Sequence, residues 1–172
     1  DRLTDVNQRF PGRQRQDNLS YALDFSLEEL RELRVSERRD QQGNQAFPRR
    51  FLQGHSRFEI PTLAEVVQLI QGLNHSTGKT VGLLIEIKSP AWHHQQGRDL
   101  SQKVLEVLEN LSVNDNNCPI ILESFDAPEV KRLRNELKAP FPLLQLLENN
   151  SWQESDETGY EFLLTKEGLQ TL

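Results

Sequence analysis

The sequence predicts an α/β fold built on a parallel sheet with crossover helices. Three observations carry this. Short apolar runs alternate with amphipathic stretches from Pro61 onward, in the order helix, strand, helix, strand, helix, strand, loop, helix. The helical stretches open on capping residues, Thr62 with Glu65, Asp99 with Gln102 and Asp126 with Glu129. The apolar runs are short and bounded by Gly, Pro or Asn, as strands in a covered parallel sheet are. Strands separated by single helices pair in parallel, because each helix carries the chain back to the end where it began.

Each element follows from local pattern. After Pro61 and the Thr62–Glu65 capping box, Leu63, Val66, Val67, Ile70 and Leu73 recur at helical spacing, with Gly72 and Gly78 near the exit. Val81–Ile87 reads as a strand buried on both faces. Pro90 ends the pattern, and Trp92, His93 and His94 fall in the loop beyond. Asp99 caps the next helix, whose stripe is Leu100, Val104, Val107, Leu108 and Leu111. Asn114–Asn117 is a turn cluster, and Pro119–Phe125 is a second buried strand. Asp126, Ala127, Pro128 and Glu129 form a compact helix start, with proline in the first turn. Val130, Leu133 and Leu137 continue that helix until Pro140 and Pro142 stop it. Leu143–Leu147 is a third strand. A polar loop with Trp152 follows, then a short strand at Phe162–Leu164 and the first turns of a helix from Thr165.

Residues 1–54 are different. RFPGRQRQDN, ERRDQQGNQ and FPRRFLQG are rich in loop-forming residues. One helix interrupts them, with a Ser26–Glu29 capping box and a Leu27, Leu30, Leu33 stripe. So long a stretch without periodicity is uncommon inside a compact domain. It reads as an excursion over a site or a loose arm, with its arginines as a solvated surface.

Composition limits the function classes. The net charge is −6 and the pI about 5.3, against the concentrated positive charge a nucleic-acid face requires. No apolar run approaches the roughly 20 residues of a membrane span. Cys118 is the only cysteine, so no intrachain disulfide forms, and its place beside an apolar run makes it a structural thiol. The three clear strands are fewer than the eight of a closed barrel, so the chain reads as a large part of a domain.

Glu86 and Lys88 are the candidate site residues. They are two apart at the end of a strand, so their side chains point the same way. The carboxyl end of a parallel strand is where sites are built. A carboxylate suits a hard cation such as Ca²⁺ or Mg²⁺, and an ammonium group compensates charge on a phosphate. The same pair also fits a simple ion pair at a strand end, and spacing alone leaves both readings open. His93 and His94, adjacent in a loop, point apart and fit surface roles, while His55 and His75 are isolated. Glu123 also ends a strand, and alternation alone leaves its face undecided.

Several motifs in fixed order, DRLTDV, FPGR, YALDFSLEEL, FPRRF, IPTLAEVVQLIQGLNHSTGK, IEIKSPAWHHQQG and ESFDAPEVKRLRNEL, strongly resemble glycerophosphodiester phosphodiesterases of the GlpQ type. The resemblance covers most of the chain and weakens after Trp152. It implies a (β/α)8 TIM barrel, of which residues 61–172 are central βα units and residues 1–54 an inserted segment. The implied reaction is hydrolysis of glycerophosphodiesters to glycerol 3-phosphate and an alcohol. It implies a divalent cation, Ca²⁺ or alternatively Mg²⁺, with Glu86 as one metal ligand. Lys88 lies at the phosphate, and Phe125 is a substrate-pocket wall or, equally, core packing.

The family's acid–base histidines belong to His-Arg and His-Asp motifs, and none of His55, His75, His93 or His94 sits in one. No catalytic histidine is therefore assigned. The chain resembles a central fragment, expected to be inactive, and poorly soluble or oligomeric, by itself. A periplasmic or surface-attached location and a homodimer of the intact protein are further implications. The alternative is an inactive surface or immunoglobulin-binding lipoprotein on the same scaffold.

Overall fold

The computed structural model describes residues 3–35, 37–38, 42, 44–47, 49, 58–114, 116–147 and 160–171. Two compact units emerge, Asp1–Pro61 and Thr62–Leu172. His55 and the Trp152 loop lie outside the described residues, as does part of the FPRRF stretch.

In the first unit polar contacts do most of the organising. Helix α1 (Val6–Arg9) joins α2 (Leu27–Glu32), whose Ser26–Glu29 capping box forms as expected. A single 3₁₀ turn spans Ala22–Asp24. One expected helix thus becomes two with a 3₁₀ turn, because side-chain bonds hold segments too short to be stable helices alone. Arg15 grips Asp24 with two bonds of 2.7 Å and lies over the Tyr21 ring at 4.7 Å. Arg13 bonds Glu29 at 2.8 Å and covers Phe25 at 4.6 Å. These two arginines fasten neighbouring segments while staying partly in solvent, with the Arg13 and Arg15 side chains 40% and 32% exposed.

The second unit is a parallel sheet of β1 (Leu83–Glu86), β2 (Ile120–Ser124) and β3 (Leu143–Gln145), in that order. Helices α3 (Leu63–Thr77), α5 (Leu100–Asn110) and α6 (Ala127–Asn135) pack on one face of it. Val67 of α3, Leu108 of α5 and Leu133 of α6 are buried against Ile87, Ile120 and Leu122, with Leu83, Ile85 and Leu143 partly buried beside them. Truncating a side chain such as Leu122 to Ala costs about 2–5 kcal/mol in a core of this kind.

The opposite face carries the other strand parity. Leu84 is 56% exposed and Leu144 44% exposed. Glu86 and Lys88 are exposed there too, so β1 is not buried on both faces as its apolar run suggests. Composition could not separate a two-sided strand from one whose second apolar face is left open.

The capping residues of α3, α5 and α6 act as read: the side chains of Thr62, Asp99 and Asp126 accept from the N–H groups of Glu65, Gln102 and Glu129. Gly78 ends α3 in the left-handed region, at φ 66°. Gly82 allows β1 to approach Pro119, whose carbonyl would lie 2.6 Å from an added Cβ. At this amino end of the sheet Asn74, 6% exposed, secures the register. Its amide donates to the carbonyls of Val81 and Asn117 and accepts from the Val81 N–H, each at 2.8 Å. Cys118 is buried, and burial pushes its thiol pKa up, as befits a structural cysteine.

Three further expectations are corrected. Pro90 opens helix α4 (Pro90–Gln95), so His93 and His94 are helical; proline at the first helical position lacks only an N–H that would be unpaired anyway. Helix α6 ends at Asn135, ahead of the prolines, where Lys138 turns left-handed at φ 52° and the N–H of Ala139 returns to Leu133. Phe162 falls in helix α7 (Tyr160–Leu163), not in a strand, and Thr165 caps α8 (Lys166–Leu169). Leu163 is buried while Phe162 and Leu164 on either side of it are exposed, and one anchored position fits a single helical turn.

Candidate functional site

Two groups of charged side chains gather around the carboxyl ends of the strands. The first is the predicted pair. Parallel register sets Glu86 beside Glu123, with Leu84 beside Ile121. Side chains of paired residues in a parallel sheet share a face, so Glu86, Lys88 and Glu123 all belong to the face opposite α3, α5 and α6. The Lys88 Nζ stands 3.6 Å from the Glu86 Oε1, with the two side chains 63% and 35% exposed. Of the two readings the spacing left open, the ion pair is present. At this distance and exposure the pair is loose and contributes little to stability.

The backbone leaving this pair is unusual. Ser89 has φ 47° and ψ 51°, a left-handed conformation rare for serine and further disfavoured before Pro90. Such a residue costs on the order of 1–3 kcal/mol and persists only where its surroundings hold it. Pro90 is buried, which fixes the start of α4.

The second group was not foreseen. His94, Asp99 and Glu129 bring one potential ligand atom each within 4.8 Å of one another. Asp99 is the cap of α5 and Glu129 lies in the first turn of α6, so the two helix starts converge there. Arg132 already fills the centre. Its guanidinium donates to both Asp99 oxygens, to Glu129 at 2.7 Å and to the His94 Nε2 at 3.3 Å. Burial works against the Asp99 carboxylate, yet the Arg132 bonds and the Gln102 N–H hold its pKa below the ordinary range. A cation with fixed donors thus occupies the place a metal would take, and the donor set does not fit an added ion.

Glu86 offers the oxygen chemistry that suits a hard cation. Its carboxylate is partly exposed, and parallel register sets Glu123 on the same rung. Like charges on neighbouring strands are unfavourable unless a cation lies between or beside them.

The remaining predicted residues separate. Phe125 is half-buried and packs, with Leu147, against Ala127 and Leu163. Burial and neighbouring His94 push the pKa of His93 down, and its imidazole lies edge-on to Trp92 at 4.8 Å. His75 is exposed in the last turn of α3, the turn that leads to the amino end of β1.

Sequence reasoning missed Arg132 and Ser124. The bonds of Arg132 to Asp99 and His94 span 33 and 38 residues, which no local pattern records, although its bond to Glu129 lies three residues away. Ser124 did leave a signal: alternation puts this small polar residue on the buried face with Ile120 and Leu122.

Comparison with known proteins identifies the family. The family model described as "Glycerophosphoryl diester phosphodiesterase family" matches residues 1–171. The chain is 38% identical over 170 residues to a glycerophosphodiester phosphodiesterase of Haemophilus influenzae, covering 93% of this chain and 47% of that protein. It is 33% identical over 162 residues to a glycerophosphodiester phosphodiesterase of Treponema pallidum, covering 92% of this chain and 46% of that protein. The chain thus spans about half the length of the curated relatives it matches. A match across essentially every residue, on a parallel sheet with acidic and basic groups at its carboxyl ends, means that this chain belongs to the glycerophosphoryl diester phosphodiesterase family.

Proposed function

We propose that the protein carrying this chain hydrolyses glycerophosphodiesters to glycerol 3-phosphate and an alcohol, with a divalent cation, Ca²⁺ or Mg²⁺. The observation that supports it most is the joint placement of Glu86 and Lys88 on the open sheet face at the carboxyl end of β1, in a chain of this family.

Each residue has a distinct task. Glu86 supplies a carboxylate ligand for the cation. When bound, such a cation polarises a phosphoryl oxygen and lowers the pKa of water. Lys88 presents an ammonium group to the phosphate and compensates the charge that builds up in the transition state. Phe125 forms an apolar wall near these groups. No histidine of this chain is assigned as acid or base: His94 is engaged by Arg132, and His93 is turned onto Trp92.

The fold reading goes with the chemistry. Among the described residues α3, α5 and α6 all pack on one sheet face, as in a barrel wall, whereas a doubly wound sheet carries helices on both. In this proposal residues 61–172 are central βα units of a (β/α)8 barrel and residues 1–54 an inserted segment. Leu84, Ile121 and Leu144 then face the barrel interior. The isolated chain is inactive, and the intact protein is periplasmic or surface-attached, like the GlpQ subgroup.

The test is hydrolysis of glycerophosphocholine and glycerophosphoethanolamine by the full-length protein with Ca²⁺, before and after chelation. Turnover that stops on chelation and returns with the ion is expected. Absence of metal-dependent turnover sinks the proposal.

A further inference from the structure

We infer that Ser124 is a positioning residue for Lys88, acting through the main chain of β1. This rests on the reading of Lys88 as the phosphate contact, but it concerns a different residue and a different bond.

The last backbone rung between β1 and β2 is the Ile87 N–H to the Glu123 carbonyl, at 2.8 Å. Just beyond it a side chain joins in. The Ser124 hydroxyl donates to the Ile87 carbonyl at 2.8 Å. That carbonyl belongs to the same rigid peptide plane as the Lys88 N–H. Holding it fixes the direction in which the chain leaves β1, and so where the Lys88 side chain starts. Ser124 is itself held. It is 1% exposed, and its oxygen accepts from the Asp126 N–H at 3.2 Å. Asp126 caps α6 by accepting from Glu129 at 2.9 Å. One hydroxyl therefore links the end of β1 to the start of α6.

Two features argue that this link serves more than packing. The next residue after Lys88 is Ser89 in its left-handed conformation, and such a conformation requires fixed neighbours on both sides. Ser124 and the buried Pro90 provide them. The neighbouring rung repeats the device, since Gln145 of β3 donates its amide to the Phe125 carbonyl at 3.0 Å. Side chains thus fasten two successive strand ends at the edge where the site opens. Lys88 has a long flexible stem, so its productive placement depends on where the main chain delivers it.

The test is a double-mutant cycle in the full-length enzyme with glycerophosphocholine and saturating Ca²⁺. S124A is expected to lower kcat/KM about 10-fold in the wild-type background and less than about 2-fold in the K88A background, because its effect runs through Lys88. Equal losses in both backgrounds would mean a general structural role and overturn the inference. Full activity of S124A beside an impaired K88A overturns the inference alone. Full activity of K88A overturns the reading of Lys88 and the inference with it. Should S124A fail to fold, S124C, close in size but a weak donor, is run through the same cycle with the same two deciding outcomes.

Discussion

The two charged groups around the strand ends resemble each other in composition and differ in state. The Arg132 group joins His94, Asp99 and Glu129 through short bonds, and the Glu129 side chain is only 7% exposed. In the Glu86 group Lys88 lies 3.6 Å from Glu86 with half or more of the lysine in solvent, and Glu123 holds the same rung of the adjacent strand. By residue type the first looks more like a metal centre, since it has a histidine and two acids. Geometry reverses that. A fixed guanidinium satisfies the acids of the first group, whereas the Lys88 ammonium stands 3.6 Å from Glu86 on a side chain that is largely in solvent. One is a fastener between α5 and α6, and the other has the features of a site. What separates them is the cation each contains, and how firmly it is held.

Substitutions can break this comparison. The largest effect is expected at Glu86: E86Q in the full-length protein should lower kcat about 1,000-fold and raise the Ca²⁺ needed for half-maximal activity, read by steady-state assay across a Ca²⁺ titration. K88A should lower kcat about 100-fold, and added Ca²⁺ should not restore it. Full rescue by metal would remove Lys88 from the phosphate.

On the other side of the comparison, R132M should leave two acids and a histidine without their donor. It should destabilise the chain by about 2–3 kcal/mol in denaturant unfolding, because partly buried carboxylates lose a charged partner. If R132M instead gains stability on addition of Ca²⁺ while the wild type does not, the group is a latent metal site and the contrast narrows. The smallest effect is in acid. The folded-state pKa of Asp99 is held below its unfolded value, so its contribution is present above the unfolded carboxyl range near pH 4 and is lost as pH falls through the folded value. The difference in melting temperature between wild type and D99N should therefore shrink as pH falls below about 4.

The elements that were legible share a cause. Thr62, Asp99 and Asp126 cap helices by bonding the N–H three residues on, so their partners lie within the stretch being read. Glu86 and Lys88 were legible as a same-face pair for the same reason. The misreadings lie where a local signal has two outcomes. Pro90 stops one element and starts another, and the sequence emphasised the stop. The apolar run in β1 suits a strand covered on either face or on both, and only the packing of α3, α5 and α6 chose.

By itself the sequence determined the order of helices and strands from Pro61, the caps that begin the helices, and the parity that sets Glu86 with Lys88. These depend on contacts between residues a few positions apart, whose geometry is fixed by the helical and strand repeats. Only the tertiary structure decided that Glu123 joins Glu86 on one rung, that Arg132 closes the His94, Asp99 and Glu129 group, and that Ser124 holds the Ile87 carbonyl. Most of these contacts span more than 30 residues. They exist because parallel pairing brings strand ends together, and no periodicity in the sequence records which distant residue will be met there.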